Sequence, residues 1–138
     1  MNTTPRAAGI VGPVAFAIAG ALAAIVPSAS QACGACVEDK IAATYDHRVI
    51  ERASASGSVM VFCAITGPFD AQRLKEAVRR VRGVQPQSVR VSAQLAAVSF
   101  AVDPRVRAPH AVVEAAQRHL ASGTRVSIVR LQGPSDWN

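Results

Sequence analysis

Aromatic residues are scarce in this sequence of 138 residues, at 4%, and only three residues are cysteine. Three cysteines are too few for a small domain built on disulfides, so a conventional hydrophobic core must carry the fold. The arginines are dispersed and have no aromatic residues between them on which bases would stack, so nucleic-acid binding is unsupported. The sequence also lacks a recognisable Ser/His/Asp order, a phosphate-binding glycine loop and a catalytic carboxylate pair. We therefore predict that the protein is not an enzyme.

Hydrophobic residues, by contrast, make up half of the chain, while charged residues make up 17%. This composition does not fit a disordered chain, and the length allows one domain. Basic residues outnumber acidic ones by 15 to 9. The excess indicates a solvated basic surface with at most weak attraction to anionic lipid headgroups.

Residues 1–32 have the composition of an export signal. Arg6 is their only charged residue, residues 7–26 are rich in Ala, Val and Ile, and residues 28–32 are small or polar, as a signal-peptidase site requires. We expect a periplasmic or secreted protein that keeps no stable membrane span after cleavage. Two alternatives stay open: an uncleaved N-terminal membrane anchor, and a lipid anchor on Cys33.

Residues 33–57 are predicted to form a helical arm and a linker. Residues 37–53 contain no Gly or Pro, and residues 54–58 have the Ser- and Gly-rich composition of a linker. Apolar residues recur at every fourth position of the arm: Val37, Ile41, Tyr45 and Val49. This spacing predicts one continuous amphipathic helix.

Residues 58–132 show the pattern of a βαββαβ domain, and residues 133–138 that of a frayed tail. The apolar run 59–65 predicts a strand buried on both faces. Asp70 is placed to cap a first helix, and Pro109 to begin a second. Two alternating stretches near Val89 and Val98 predict a hairpin, and residues 126–131 predict the last strand. The expected fold is an α+β ferredoxin-like sandwich, with a four-stranded antiparallel sheet and both helices on one face.

The stretches at 78–84, 88–91, 98–104 and 112–117 resemble the end of the first helix, the hairpin and the second helix of the heavy-metal-associated domain family. The resemblance covers about residues 58–131 and implies a ferredoxin-like fold that binds soft metal ions. In that family two cysteines follow the first strand. Here Asp70 and Arg73 stand at those positions, so the usual metal loop is lost.

A different cysteine pair lies just before the arm, in Cys33-Gly34-Ala35-Cys36. Two thiolates are enough for linear coordination of copper(I) or mercury(II), and a following helix N-terminus favours the thiolate form. The sequence therefore predicts a soft-metal site at Cys33 and Cys36, with Cys63 or His47 as a third ligand. Cys63 also fits an inert buried thiol, and His47 a solvated side chain.

Other roles remain open for this pair. An exported protein meets an oxidising compartment, so Cys33 and Cys36 can instead form a local disulfide. The protein would then be a metal-free interaction module, docking through the outer face or an edge strand of its sheet. A thiol–disulfide redox role is a further alternative. For the metal-binding role, the expected partner is an exported metal donor or acceptor.

Overall fold

The computed structural model describes residues 36–133 as three layers, with a central sheet between two pairs of helices. The predicted leader, Cys33 and residues 134–138 lie outside the described part of the chain. The helices are α1 (Val37–Thr44), α2 (His47–Ala55), α3 (Ala71–Arg79) and α4 (Pro109–Gln117), with a short 3₁₀ helix at Pro86–Ser88. The strands are β1 (Val59–Thr66), β2 (Arg90–Ser92), β3 (Ala97–Val102) and β4 (Arg125–Gln132).

The sheet has four antiparallel strands in the order β2-β3-β1-β4, which confirms the predicted α+β ferredoxin-like arrangement. On one face, α3 and α4 pack over the sheet, as predicted. Alternate residues of β1 and β3 point into this layer and meet the apolar stripes of both helices. Its central members are Val61, Cys63, Ile65, Leu74, Val78, Val98, Phe100, Val102, Val112 and Ala116.

Local signals set the starts of α3 and α4 where the sequence predicted them. The Asp70 carboxylate accepts a hydrogen bond from the Arg73 backbone N–H at 2.7 Å and so caps α3. Pro109 is the first residue of α4, a position at which proline loses no helical hydrogen bond. β1 is buried on both faces along most of its length, as its continuous apolar run predicted.

The second face of the sheet is covered by α1 and α2, whereas the sequence pattern assigned the helical arm to no face of the sheet. Met60 and Phe62 of β1 point into it and are 2% and 1% exposed. A second apolar cluster fills this interface: Ile41, Val49, Ile50, Ala53, Met60, Phe62 and Ala101. The outer face that a docking partner was expected to use is therefore occupied by the chain's own helices.

The prediction of one helix over residues 37–53 is wrong, because the chain breaks at Tyr45 and Asp46. Both residues have extended backbone angles. Asp46 caps α2 by accepting a hydrogen bond from the Val49 N–H at 3.2 Å. The predicted stripe is split accordingly: Ile41 and Val49 are buried, whereas Val37 and Tyr45 are 45% and 51% exposed.

Polar contacts attach both ends of α1 to strands of the sheet. In its first turn, Glu38 pairs with Arg130 of β4 at 2.7 Å, and at its end the Thr44 carbonyl accepts a hydrogen bond from Ser99 Oγ of β3 at 2.9 Å. A bulge in β4 lies beside the first contact. Phe62 pairs with Arg130 and Cys63 with Ile128, so Val129 is the extra residue. Val129 packs against the α1–α2 cluster next to Arg130.

Asp46 also pairs with Arg90 of β2 at 2.9 Å, and we expect this pair to make stability depend on acidity. The hydrogen bond from Arg90 lowers the pKa of the Asp46 carboxyl below its usual 3.8. A lowered folded-state pKa stabilises the fold above the unfolded-state pKa, and the gain is lost as pH falls through the folded-state value. The substitution Asp46→Asn keeps a capping side chain but removes the charge.

The Asp46→Asn variant should therefore unfold at lower urea than the wild type at about pH 7, and at nearly the same urea in strongly acidic solution below the folded-state pKa. Urea midpoints followed by circular dichroism across this pH range measure the difference. A difference that stays constant with pH would show that the cap geometry, and not the charge, is responsible.

Candidate functional site

Cys36 lies at the solvent-exposed start of α1. It occupies the N-cap position, and its carbonyl accepts the Lys40 N–H at 3.2 Å. Its side chain makes no capping hydrogen bond among the described residues. The first N–H groups of a helix carry partial positive charge. Cys33 lies outside the described residues, so its approach to Cys36 remains a prediction.

Cys63 lies on the other side of the sheet from α1. Its side chain is 1% exposed and belongs to the cluster beneath α3 and α4. Burial away from polar groups raises the pKa of the Cys63 thiol to about 12, because desolvation disfavours the thiolate. The structure does not bring Cys63 to Cys36, and the buried-thiol interpretation of Cys63 agrees with its position.

His47, the other suggested third ligand, is the first residue of α2. Its Nε2 lies 3.0 Å from Glu51 Oε1, and its side chain is 70% exposed. The eight residues of α1, about 12 Å of helix, separate it from Cys36. Within residues 36–133, no three His, Cys, Asp or Glu side chains are grouped closely enough to hold a metal ion.

The loop between β1 and α3, where the family resemblance would place a metal site, is held against the turn that precedes β4. Gly67 has φ +83°, and a Cβ built on it would lie 2.0 Å from the Gly123 carbonyl oxygen. Thr124 Oγ1 donates a hydrogen bond to the Pro68 carbonyl. Asp70 uses its carboxylate to cap α3. These contacts give the loop a structural role.

A groove between α3 and the end of α4, here called the α3–α4 groove, lies beside this loop. Two cavities of about 380 and 330 Å³ adjoin there and share Arg73 and His119. The dispersed arginines predicted only a solvated surface, and the groove was not predicted. The signal was the spacing of Arg73, Ala77 and Arg80, which places a small residue between two basic ones on one helix face.

No helix in residues 36–133 is both long and apolar enough to cross a bilayer.

The candidate site residues lie in three separate places. One cysteine is exposed at the start of α1, another is buried in β1, and the basic α3–α4 groove lies in the opposite helical layer. The chain matches no protein-family model, no curated protein and no solved structure.

Proposed function

We propose that this protein is exported and binds a soft metal ion through Cys33 and Cys36. The observation that supports this proposal is the position of Cys36, exposed at the N-terminus of a helix that is anchored on the sheet. Cys33 precedes it by three residues, a spacing that allows both sulfurs to reach one ion. Copper(I) and mercury(II) accept two thiolates in a linear arrangement, whereas zinc normally requires four ligands.

The charges around Cys36 suit a cation. Glu38 and Asp39 lie in the first turn of α1, and both are exposed. The Glu38 carboxylate is paired with Arg130, whereas that of Asp39 forms no ion pair among the described residues and attracts a positive ion to the thiols. The pairing of Glu38 with Arg130 keeps this turn beside β4.

Exposure of Cys36 also suits transfer of the ion. A partner's cysteine can approach an exposed two-coordinate ion, form a third sulfur bond, and take the ion as one of the original bonds breaks. The expected partner is therefore an exported metal donor or acceptor with thiol ligands of its own. Cys63 takes no part, because the sheet and its own burial separate it from solvent.

The alternative proposal, a metal-free module that docks another protein, named two surfaces for docking, and one of them is covered in the structure. It required the outer face of the sheet or an edge strand, and the outer face is covered by α1 and α2. The docking module would therefore have to use an edge strand. β4 is such a strand, because it pairs with β1 alone among the described strands.

Anaerobic titration of the reduced protein with copper(I) tests the metal proposal. We expect about one ion per chain, and none at the same affinity in a Cys33→Ser/Cys36→Ser variant. The matched control is Cys63→Ser, which should bind like the wild type because Cys63 is buried away from the pair.

Two results would contradict the proposal. One is equal copper binding by the wild type and the double serine variant. The other is an intact mass of the exported protein that shows cleavage beyond Cys33, since this processing removes a ligand. A native Cys33–Cys36 disulfide that is indifferent to added copper under mild reduction would favour the docking module instead.

A further inference from the structure

The α3–α4 groove carries features of a ligand site that are separate from the thiol pair. Its first cavity, of about 380 Å³, is lined by Arg73, Glu76, Ala77, Arg80 and His119. Arg73 lies in α3, and Arg80 is the C-cap of this helix with helical backbone angles. They are seven residues apart, two helical turns, so their side chains project on the same side, about 10.5 Å apart along the helix axis. Ala77 lies between them and is buried, and its short side chain leaves space that a larger residue would fill.

The two guanidinium groups form no salt bridge within the described part of the chain. Among residues 36–133, neither Arg73 nor Arg80 has a carboxylate oxygen within 4.0 Å. Glu76, the acidic residue of this cavity, accepts a hydrogen bond from Gln72 at 3.1 Å. Arginine presents its donors in a planar fork that matches the oxygens of an anion, and two forks match a tetrahedral anion better than a flat one.

The second cavity, of about 330 Å³, continues from Arg73 and His119 past the side chains of Phe69 and Leu120. Phe69 and Leu120 are partly buried against the core and form its sides, and Leu74 is fully buried beneath it. Asp70 also lines this cavity, and its carboxylate caps α3. The groove therefore places the apolar side chains of Phe69 and Leu120 beside Arg73, with Arg80 at its far end.

We propose that the α3–α4 groove binds a phosphate monoester that carries an apolar body. The phosphate lies between Arg73 and Arg80, and the apolar body lies over Phe69 and Leu120. Pockets for small molecules commonly combine an apolar lining with a few placed polar groups, and both cavities fall in the usual range of volume. The same phosphate chemistry is available from a soluble ester or from a lipid headgroup, and the two sources separate in the test.

Isothermal titration with 1-naphthyl phosphate tests this site on the purified full-length protein. Saturable binding of one molecule per chain is expected. Arg73→Gln and Arg80→Gln should each weaken it about tenfold or more, since each removes a charged hydrogen bond to the phosphate. Glu76→Gln should strengthen binding, because it removes the negative charge that opposes the phosphate.

The matched control is Arg82→Gln, which removes an equal charge from an exposed arginine beyond the end of α3 that does not line the groove. It should leave the affinity unchanged. Inorganic phosphate and 1-naphthol should each bind at least about tenfold more weakly than the ester. Inorganic phosphate lacks the apolar body, and 1-naphthol lacks the phosphate. The Cys33→Ser/Cys36→Ser variant should bind the ester normally, which separates this proposal from the metal proposal.

Three outcomes would overturn the proposal: no saturable binding of 1-naphthyl phosphate, an equal loss in Arg82→Gln and Arg73→Gln, or binding only to vesicles that contain phosphatidic acid and not to the soluble ester. The second would show a general charge effect, and the third a membrane-surface attraction. Urea midpoints of each variant must match the wild type, so that a loss of binding reports on the groove.

Discussion

Replacing Gly67 with alanine is expected to lower the free energy of unfolding by about 3 kcal/mol or more. Gly67 has φ +83°, a conformation that costs an L-residue about 1–2 kcal/mol by itself. The added Cβ would also lie 2.0 Å from the oxygen and 2.9 Å from the carbon of the Gly123 carbonyl. These atoms belong to the backbone, so no side-chain rotation relieves the clash, and the two loops must separate.

Gly57 provides the control for this prediction. Its φ is +68°, but a Cβ at this position would meet nothing within 4 Å. Gly57→Ala should therefore cost only the conformational part, about 1–2 kcal/mol. Urea unfolding of both variants measures the difference, which reports the close approach of the two loops. Equal losses would mean that the Gly67 and Gly123 loops are not in contact.

The second large effect is expected from Phe62→Ala, with a loss of about 3–5 kcal/mol. Phe62 is 1% exposed and packs into the cluster that joins α1 and α2 to the sheet. Its removal leaves a cavity between Ile41, Ile50 and β1, which the surrounding helices fill only in part. The loss should appear first in the α1–α2 layer, because the other layer keeps its own cluster beneath α3 and α4.

Amide hydrogen exchange distinguishes this local effect from a global one. In Phe62→Ala, protection of α1 and α2 should fall below that of α3 and α4. Phe100→Ala is the matched control, because Phe100 is also 1% exposed but faces the opposite layer. Its loss should lower protection in α3 and α4 at least as much as in α1 and α2. The same exchange pattern in both variants would contradict the division into two separate apolar layers.

The fold of residues 58–132 was predictable because its signals are local. Asp70, Pro109 and the alternating residues of the hairpin each act within a few positions of the chain. The break at Asp46 was not predictable from the every-fourth-residue spacing, since the aspartate lies within a run free of Gly and Pro. Its position is fixed partly by Arg90, 44 residues away.

The layer formed by α1 and α2 had one signal in the sequence. The continuous apolar run of β1 predicted burial on both faces, which requires a cover on each. The position of Ser99 predicted the opposite, because a serine that alternates with valine and phenylalanine indicates a solvated face of the sheet. In the structure Ser99 is fully buried and donates its hydroxyl to the Thr44 carbonyl. A small hydroxyl residue fits either environment, so the pattern alone does not decide between them.

The candidate sites differ in how much of them the sequence contains. The thiol pair is a local motif and was found as such, although the structure describes only Cys36. The α3–α4 groove needs His119, just beyond the end of α4, beside Arg73 of α3, a neighbourhood created by helix packing. From the sequence, only the spacing of the arginines on α3 was visible.

The pairing of Glu38 with Arg130 joins residues 92 positions apart. During synthesis the cysteine pair leaves the ribosome well before Arg130, so the salt bridge that holds the following turn of α1 cannot form until β4 has emerged. Such distant partners are the last to meet in folding, because the intervening chain must first be ordered. A nascent chain stalled before β4 would therefore lack the ion pair that holds the first turn of α1, beside Cys36, while the end of the helix keeps its contact with Ser99 of β3.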